Sequence, residues 1–158
     1  MKNQKGFSVV EIVIASSILL LVVVSIFSSY AIALVATQKN TAQLQAAFLA
    51  EEGIEALKNM RDFGYASYIS SLSNGTSYRL AWSNSHWQAT TTNTFVDGTF
   101  DRTFVLSAVS RDGNHDIVTS GGTVDSNTKK VTVTVAWKDG SATSTKSMEA
   151  YVTNIFSN

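Results

Sequence analysis

From Ile12 to Ala36 the chain holds no charged residue. At about 1.5 Å of rise per residue, some ~25 residues make a helix of about 37 Å, enough to cross a hydrocarbon layer of roughly 30 Å. That run limits what the rest of the chain can do with its N-terminus. A single carboxylate, Glu11, sits at its leading edge. A charge at the edge of such a segment costs on the order of a few kcal/mol unless it is paired, which makes Glu11 a functional candidate. Ahead of it stand Lys2, Lys5, Gly6 and Phe7, a short basic stretch ending in glycine followed by an aromatic residue.

Gly6, Phe7, Glu11 and the apolar run together resemble the N-terminus of type IV prepilins and type II secretion pseudopilins. The close resemblance covers roughly residues 5–35, and FLAEEGIEALKNMRD is similar to the helix continuation of small minor pilins. The resemblance implies a leader ending at Gly6 and cleavage between Gly6 and Phe7 by a prepilin peptidase. It further implies methylation of the new Phe7 amine and an assembly role for Glu11 at the fifth mature position. The residue types suit this chemistry. Glycine lets a protease approach the backbone closely. In lipid or in a fibre core, Glu11 and the Phe7 amine of a neighbouring subunit would neutralise one another, where each alone would be costly. Many pilins carry a helix-breaking proline midway along this segment. This chain has no proline, and Ser28 and Ser29 occupy that place.

Two plainer readings compete. Ala31-Ile32-Ala33 offers an A-x-A site to an ordinary signal peptidase, but the apolar run is long for a signal peptide and Glu11 fits poorly inside one. A simple single-span anchor leaves Glu11 and the Gly6-Phe7 junction unexplained. Because Lys2 and Lys5 precede the span and no comparable cluster directly follows, the N-terminus is expected in the bacterial cytoplasm. The remainder is expected outside the inner membrane, first held there by the single-pass helix and then in an extracytoplasmic pilus or pseudopilus.

Length bounds the rest. Of 158 residues, those from Thr37 onward suffice for one small core. Basic and acidic residues balance at 12 each, so no broad positive field exists to attract nucleic acid. There are no cysteines, which removes disulfides, thiol catalysis and cysteine-based metal sites, including the loop disulfide of many pilins.

Beyond the apolar run, Leu44, Ala47, Phe48, Ile54 and Leu57 recur at helical spacing, with Gln43, Glu51, Glu55 and Lys58 largely opposite. That stripe is expected to dock on a sheet. A helix from about Phe7 to Asp62 would be roughly 80 Å long. Gly53 marks a bend or a close approach, and Gly64 a stop. Residues 65–99 scatter Tyr65, Tyr68, Tyr78, Trp82 and Trp87 among polar residues; Tyr78–Trp82 reads as a strand and Asn74-Gly75 as a turn. Phe100–Ser110 and Thr128–Lys138 read as strands, the second with Val131, Val133, Val135 and Trp137 on one face. Asp139-Gly140 then turns into a returning strand with Met148, Ala150 and Val152 inward.

The organisation expected is a leader over 1–6, a membrane or fibre-core helix over 7–36, an amphipathic continuation over 37–62 and a β-rich head over 63–158. The fold class is α+β: a long N-terminal helix packed on a C-terminal antiparallel sheet, as in pilins.

Signals for catalysis are absent. His86 and His115 lack metal-binding spacing and read as surface polar residues. Asp112, Asn114 and Asp116 mimic the start of a calcium loop, but Ile117 and Thr123 stand where glycine and glutamate are needed, so a polar turn is the better account. Glu51 and Glu52 are neighbours on a helix rather than converging acids. Trp82 and Trp87 suit either a sugar- or base-stacking platform or, preferably, a cover for the sheet end. The function expected is that of a structural subunit, a minor pilin or pseudopilin, without enzymatic activity or cofactor. Its partners would be a prepilin peptidase, other pilin subunits and inner-membrane lipid. The alternative is a membrane-anchored or secreted β-domain that binds a ligand.

Overall fold

The computed structural model describes residues 6 and 8–155. One helix, α1 (Val9–Tyr65), is followed by a π-helical turn at Ala66–Ser70 and six strands, an α+β arrangement. The chain divides between Thr41 and Ala42 into two compact units, through which α1 runs.

In the first unit the helix is apolar on every side, and no part of the membrane-length window is buried within the chain. Leu19, Leu20, Leu21, Ile26 and Phe27 are each more than half exposed. Burial of one such side chain contributes roughly 1.5–3 kcal/mol, so this surface requires lipid or other protein around it. Several of the hydroxyls within it bond back to the helix itself. Ser17 and Ser25 donate to the carbonyls four residues back, Val13 (2.7 Å) and Leu21 (2.8 Å), and Thr37 does the same to Ala33 (2.9 Å). Such back-bonding hides the polar groups from an apolar surrounding. The helix passes unbroken through Ser28 and Ser29; among the described residues of α1, only Gly64 leaves helical dihedrals.

The second unit packs α1 from Ala42 onward against a twisted antiparallel sheet. Its strands are β1 (Ser77–Ser83), β2 (His86–Thr90), β3 (Asp101–Arg111), β4 (Ile117–Val118), β5 (Thr123–Asp139) and β6 (Ala142–Thr153). The order is β2-β1-β3-β5-β6, and β4 pairs with the far end of β3. Strand alternation sets the core: Phe104 and Leu106 of β3, Val131, Val133, Val135 and Trp137 of β5, and Val152 of β6 all point inward and are buried. Gly140 (φ 65°) opens the two-residue connection between Asp139 and Ala142, the chemistry expected of Asp139-Gly140.

The helix face in contact with the sheet differs from the expected stripe. Ala46, Ala50, Gly53, Ile54, Leu57 and Met60 are buried, whereas Leu44 and Phe48 are 57% and 61% exposed. At about 100° per residue, Leu44 and Phe48 lie about 160° around the helix from Ala46 and Ala50. The buried face keeps Ile54 and Leu57 of the expected stripe but has Ala46, Ala50 and Gly53 in place of Leu44 and Phe48, and their small size lets the backbones approach. Gly53 is the closest point: a Cβ there would lie 2.8 Å from Val133 Cγ1. Of the two roles open to Gly53, the structure realises close approach.

Between Ala108 and Val109 the β3–β5 register shifts, leaving Ser126–Thr128 of β5 without partners on β3. Polar groups hold this bulge. Arg111 Nε donates to Asp125 Oδ2 (2.7 Å), the Asn127 amide donates to Asp125 Oδ1 (2.8 Å), and Tyr65 Oη donates to the Ser126 carbonyl (3.1 Å). The hydrogen bond from Arg111, helped by Thr128, lowers the Asp125 carboxyl to about 2. A carboxyl depressed in the folded state contributes stability that is complete above the ordinary value of 3.8 and is lost as pH falls through about 2. The site lies near the surface, so the contribution is on the order of 1 kcal/mol. Denaturant titrations between pH 5 and pH 2 are expected to show a declining stability that flattens in Asp125→Asn; an unchanged slope in the variant would assign the loss to other carboxylates.

Candidate functional site

The first turn of α1 carries the candidate residues. Gly6 is exposed and precedes the helix, and a side chain placed on it would meet nothing within 4 Å. Phe7 lies outside the described residues. The Ser8 carbonyl accepts from the amides of Glu11 (3.0 Å) and Ile12 (3.2 Å), which starts the helix. Glu11 therefore stands in the first turn, where a carboxylate is favoured by the helix dipole. It is exposed, at the head of a shallow groove lined by Ile12, Ala15, Ser16 and Leu19. The groove offers apolar contact, and Glu11 is its one ionisable group. Such an arrangement is suited to receive an apolar helix that brings a cation to one defined height.

Residues 1–27 match the family model described as the prokaryotic N-terminal methylation motif. The chain therefore carries a prepilin-like methylation motif at its N-terminus. No curated protein and no solved structure matches it. The helix and the motif together are consistent with membrane anchoring.

In the head, the remaining sequence candidates separate. His115 is exposed in a turn, as expected. His86 is not a surface residue: it is 6% exposed, stacks on Phe63 (centroids 4.1 Å apart, planes 9°) and meets the edge of Tyr68. Its Nδ1 donates to the Asn84 carbonyl (3.0 Å), and Gln88 Nε2 donates to its Nε2 (2.9 Å). The flat ring is buried because Asn84-Ser85, both at positive φ, close β1 onto β2 in two residues and deliver His86 against the end of α1. Asp112 Oδ1 accepts from the amides of Asn114 (2.9 Å) and Asp116 (3.0 Å), which makes the acidic stretch a self-capped polar turn. Trp137 packs in the core against Phe100. Trp87 is half-buried on the core, while Trp82 is 61% exposed and meets it edge-on at 5.4 Å.

One group was legible but passed over. Arg102 alternates with Phe104 and Leu106, so the strand turns it inward, and it is 6% exposed. Its Nη1 pairs with Glu52 Oε2 (2.8 Å) and donates to the Leu49 carbonyl (3.2 Å), and the guanidinium lies over the Trp87 ring at 5.7 Å.

Proposed function

We propose that this chain is a low-abundance structural subunit, a minor pilin or pseudopilin, of a type IV pilus or a type II secretion-like pseudopilus. It enters the bacterial inner membrane with its N-terminus in the cytoplasm. A prepilin peptidase removes Met1–Gly6 and methylates the Phe7 amine. The helix then leaves lipid and packs among other pilin subunits, and the head faces the extracytoplasmic side. Its work is assembly rather than turnover.

The observation that supports this most directly is the apolar helix with no cover of its own and one carboxylate in its first turn. Lipid covers such a surface before assembly, and neighbouring helices cover it afterwards. An unpaired charge in either setting costs several kcal/mol, and the amine of an adjacent subunit offsets that cost. Only one axial offset brings the two groups together, so the pair also sets the stagger between subunits.

Glu11→Ala is expected to insert and to be cut normally, because the apolar run and Gly6 remain, yet to be depleted from sheared filaments by about tenfold or more, the equivalent of roughly 1.4 kcal/mol. Quantitative blotting of filaments and membranes measures this. Equal incorporation of variant and wild type would favour a plain anchor. Mass spectrometry of the membrane fraction provides the companion test: a mature start at methylated Phe7 is expected, whereas a start at Leu34, just after Ala31-Ile32-Ala33, or near Thr37 or Gln38 would favour ordinary secretion of a ligand-binding domain.

A further inference from the structure

We propose that the head binds a neutral oligosaccharide in the cleft between Glu52 of α1, Trp87 of β2 and Phe95. The cleft measures about 380 Å³, within the range of roughly 300–1,000 Å³ typical of small-molecule sites. Its walls are apolar, formed by Leu80, Trp87, Phe95 and Val96, and its polar end is the Glu52–Arg102 pair.

The chemistry of that end selects the ligand class. Arg102 is fixed by Glu52, the Leu49 carbonyl and the Trp87 ring, so its guanidinium is pre-positioned. The ion pair with Glu52 and the hydrogen bond to the Leu49 carbonyl are both made by Nη1. Arg102 and Glu52 both line the cleft. Glu52 is half exposed, and a carboxylate with one oxygen on Arg102 keeps acceptor capacity for a ligand. The cleft thus presents a donor beside an acceptor with no net charge. An anion would meet Glu52 and a cation would meet Arg102, each at a cost. A sugar diol meets both favourably, since every hydroxyl donates and accepts.

Phe95 supplies the complementary surface. It is 54% exposed although a phenyl ring gains by burial. The adjoining turn holds the backbone next to it: Val96 and Phe100 exchange backbone hydrogen bonds (2.8 and 3.0 Å) around Asp97 (φ 50°) and Gly98 (φ 66°). The C–H face of a pyranose packs on an exposed aromatic ring. Trp82, exposed and edge-on to Trp87, extends the aromatic surface past the cleft, enough for a second sugar unit.

The test uses the full chain in phosphatidylcholine nanodiscs, because glycosidic detergents would compete for the cleft. An array of tetrasaccharides of glucose, mannose, galactose and N-acetylglucosamine, with sialyllactose, heparin fragments and unstructured peptides as contrasts, is probed first. Retained sugars are then titrated by tryptophan fluorescence. At least one neutral tetrasaccharide is expected to bind, and Phe95→Ala and Glu52→Gln are each expected to weaken it by about tenfold. Phe95→Ala removes an exposed ring, and unchanged circular dichroism would show the fold intact. Retention of none of the neutral sugars overturns the proposal. So does retention of only acidic sugars or peptides, or equal binding by Phe95→Ala. The readout is independent of processing and assembly, so its failure leaves the pilin reading untouched.

Discussion

Gly6→Val is expected to abolish maturation, leaving a precursor that keeps Met1–Gly6 and is missing from filaments. A Cβ at Gly6 would meet nothing within 4 Å among the described residues, so the substitution is expected to leave the fold undisturbed. The effect must arise where the chain meets its peptidase. A β-branched residue is stiff at χ1 and blocks close approach to the backbone, which glycine permits. Gel mobility and intact mass of the membrane fraction separate precursor from product. Normal cleavage of Gly6→Val would remove the junction from the proposed processing scheme, whatever the fate of Glu11.

Gly53→Leu is expected to destabilise the head by about 3 kcal/mol, near the top of the usual range for overpacking. The new side chain would begin 2.8 Å from Val133 Cγ1 and 3.4 Å from Arg102 Cδ. Val133 is fully buried in β5, which is paired on both sides, so neither the side chain nor the strand has room to move. Gly53→Ala sets two effects against each other. Helix propensity favours alanine by about 1 kcal/mol, while overpacking of about 1–3 kcal/mol opposes it, and a small net loss is expected. Val133→Ala in the Gly53→Ala background should recover part of the loss, the sign of direct coupling. Denaturant unfolding followed by tryptophan fluorescence reads the head specifically, since Trp82, Trp87 and Trp137 all lie on its strands. If Gly53→Leu unfolds at the wild-type midpoint, the helix and sheet are not in close contact at this position.

Much of this fold was legible because its signals are local. An uncharged run has no alternative to an apolar surrounding, and strict alternation through Val131, Val133, Val135 and Trp137 has only one face to bury. The Gly64 break and the Asp139-Gly140 turn follow from backbone chemistry at single positions. The shorter hairpin elements were harder. Asp97-Gly98 is as good a turn signal as Asp139-Gly140, but the polar residues around it show no alternation, so the element it closes could not be seen. Asn84-Ser85 forms a tight turn with a serine at positive φ, which composition does not announce.

The N-terminal run, the Gly6-Phe7-Glu11 spacing and the order of one helix before an antiparallel sheet were determined by the sequence alone, since each depends on residues close together in the chain. Tertiary structure decided which side of α1 faces the sheet. Hydrophobicity ranks Leu44 and Phe48 above Ala46, Ala50 and Gly53, yet the small residues are buried, because tight packing depends on how near two backbones can come. Tertiary structure also decided the fate of His86 and Arg102. Each is polar, and each is buried only because its partners, Asn84 and Gln88 for one and Leu49, Glu52 and Trp87 for the other, arrive from the surrounding fold to satisfy it.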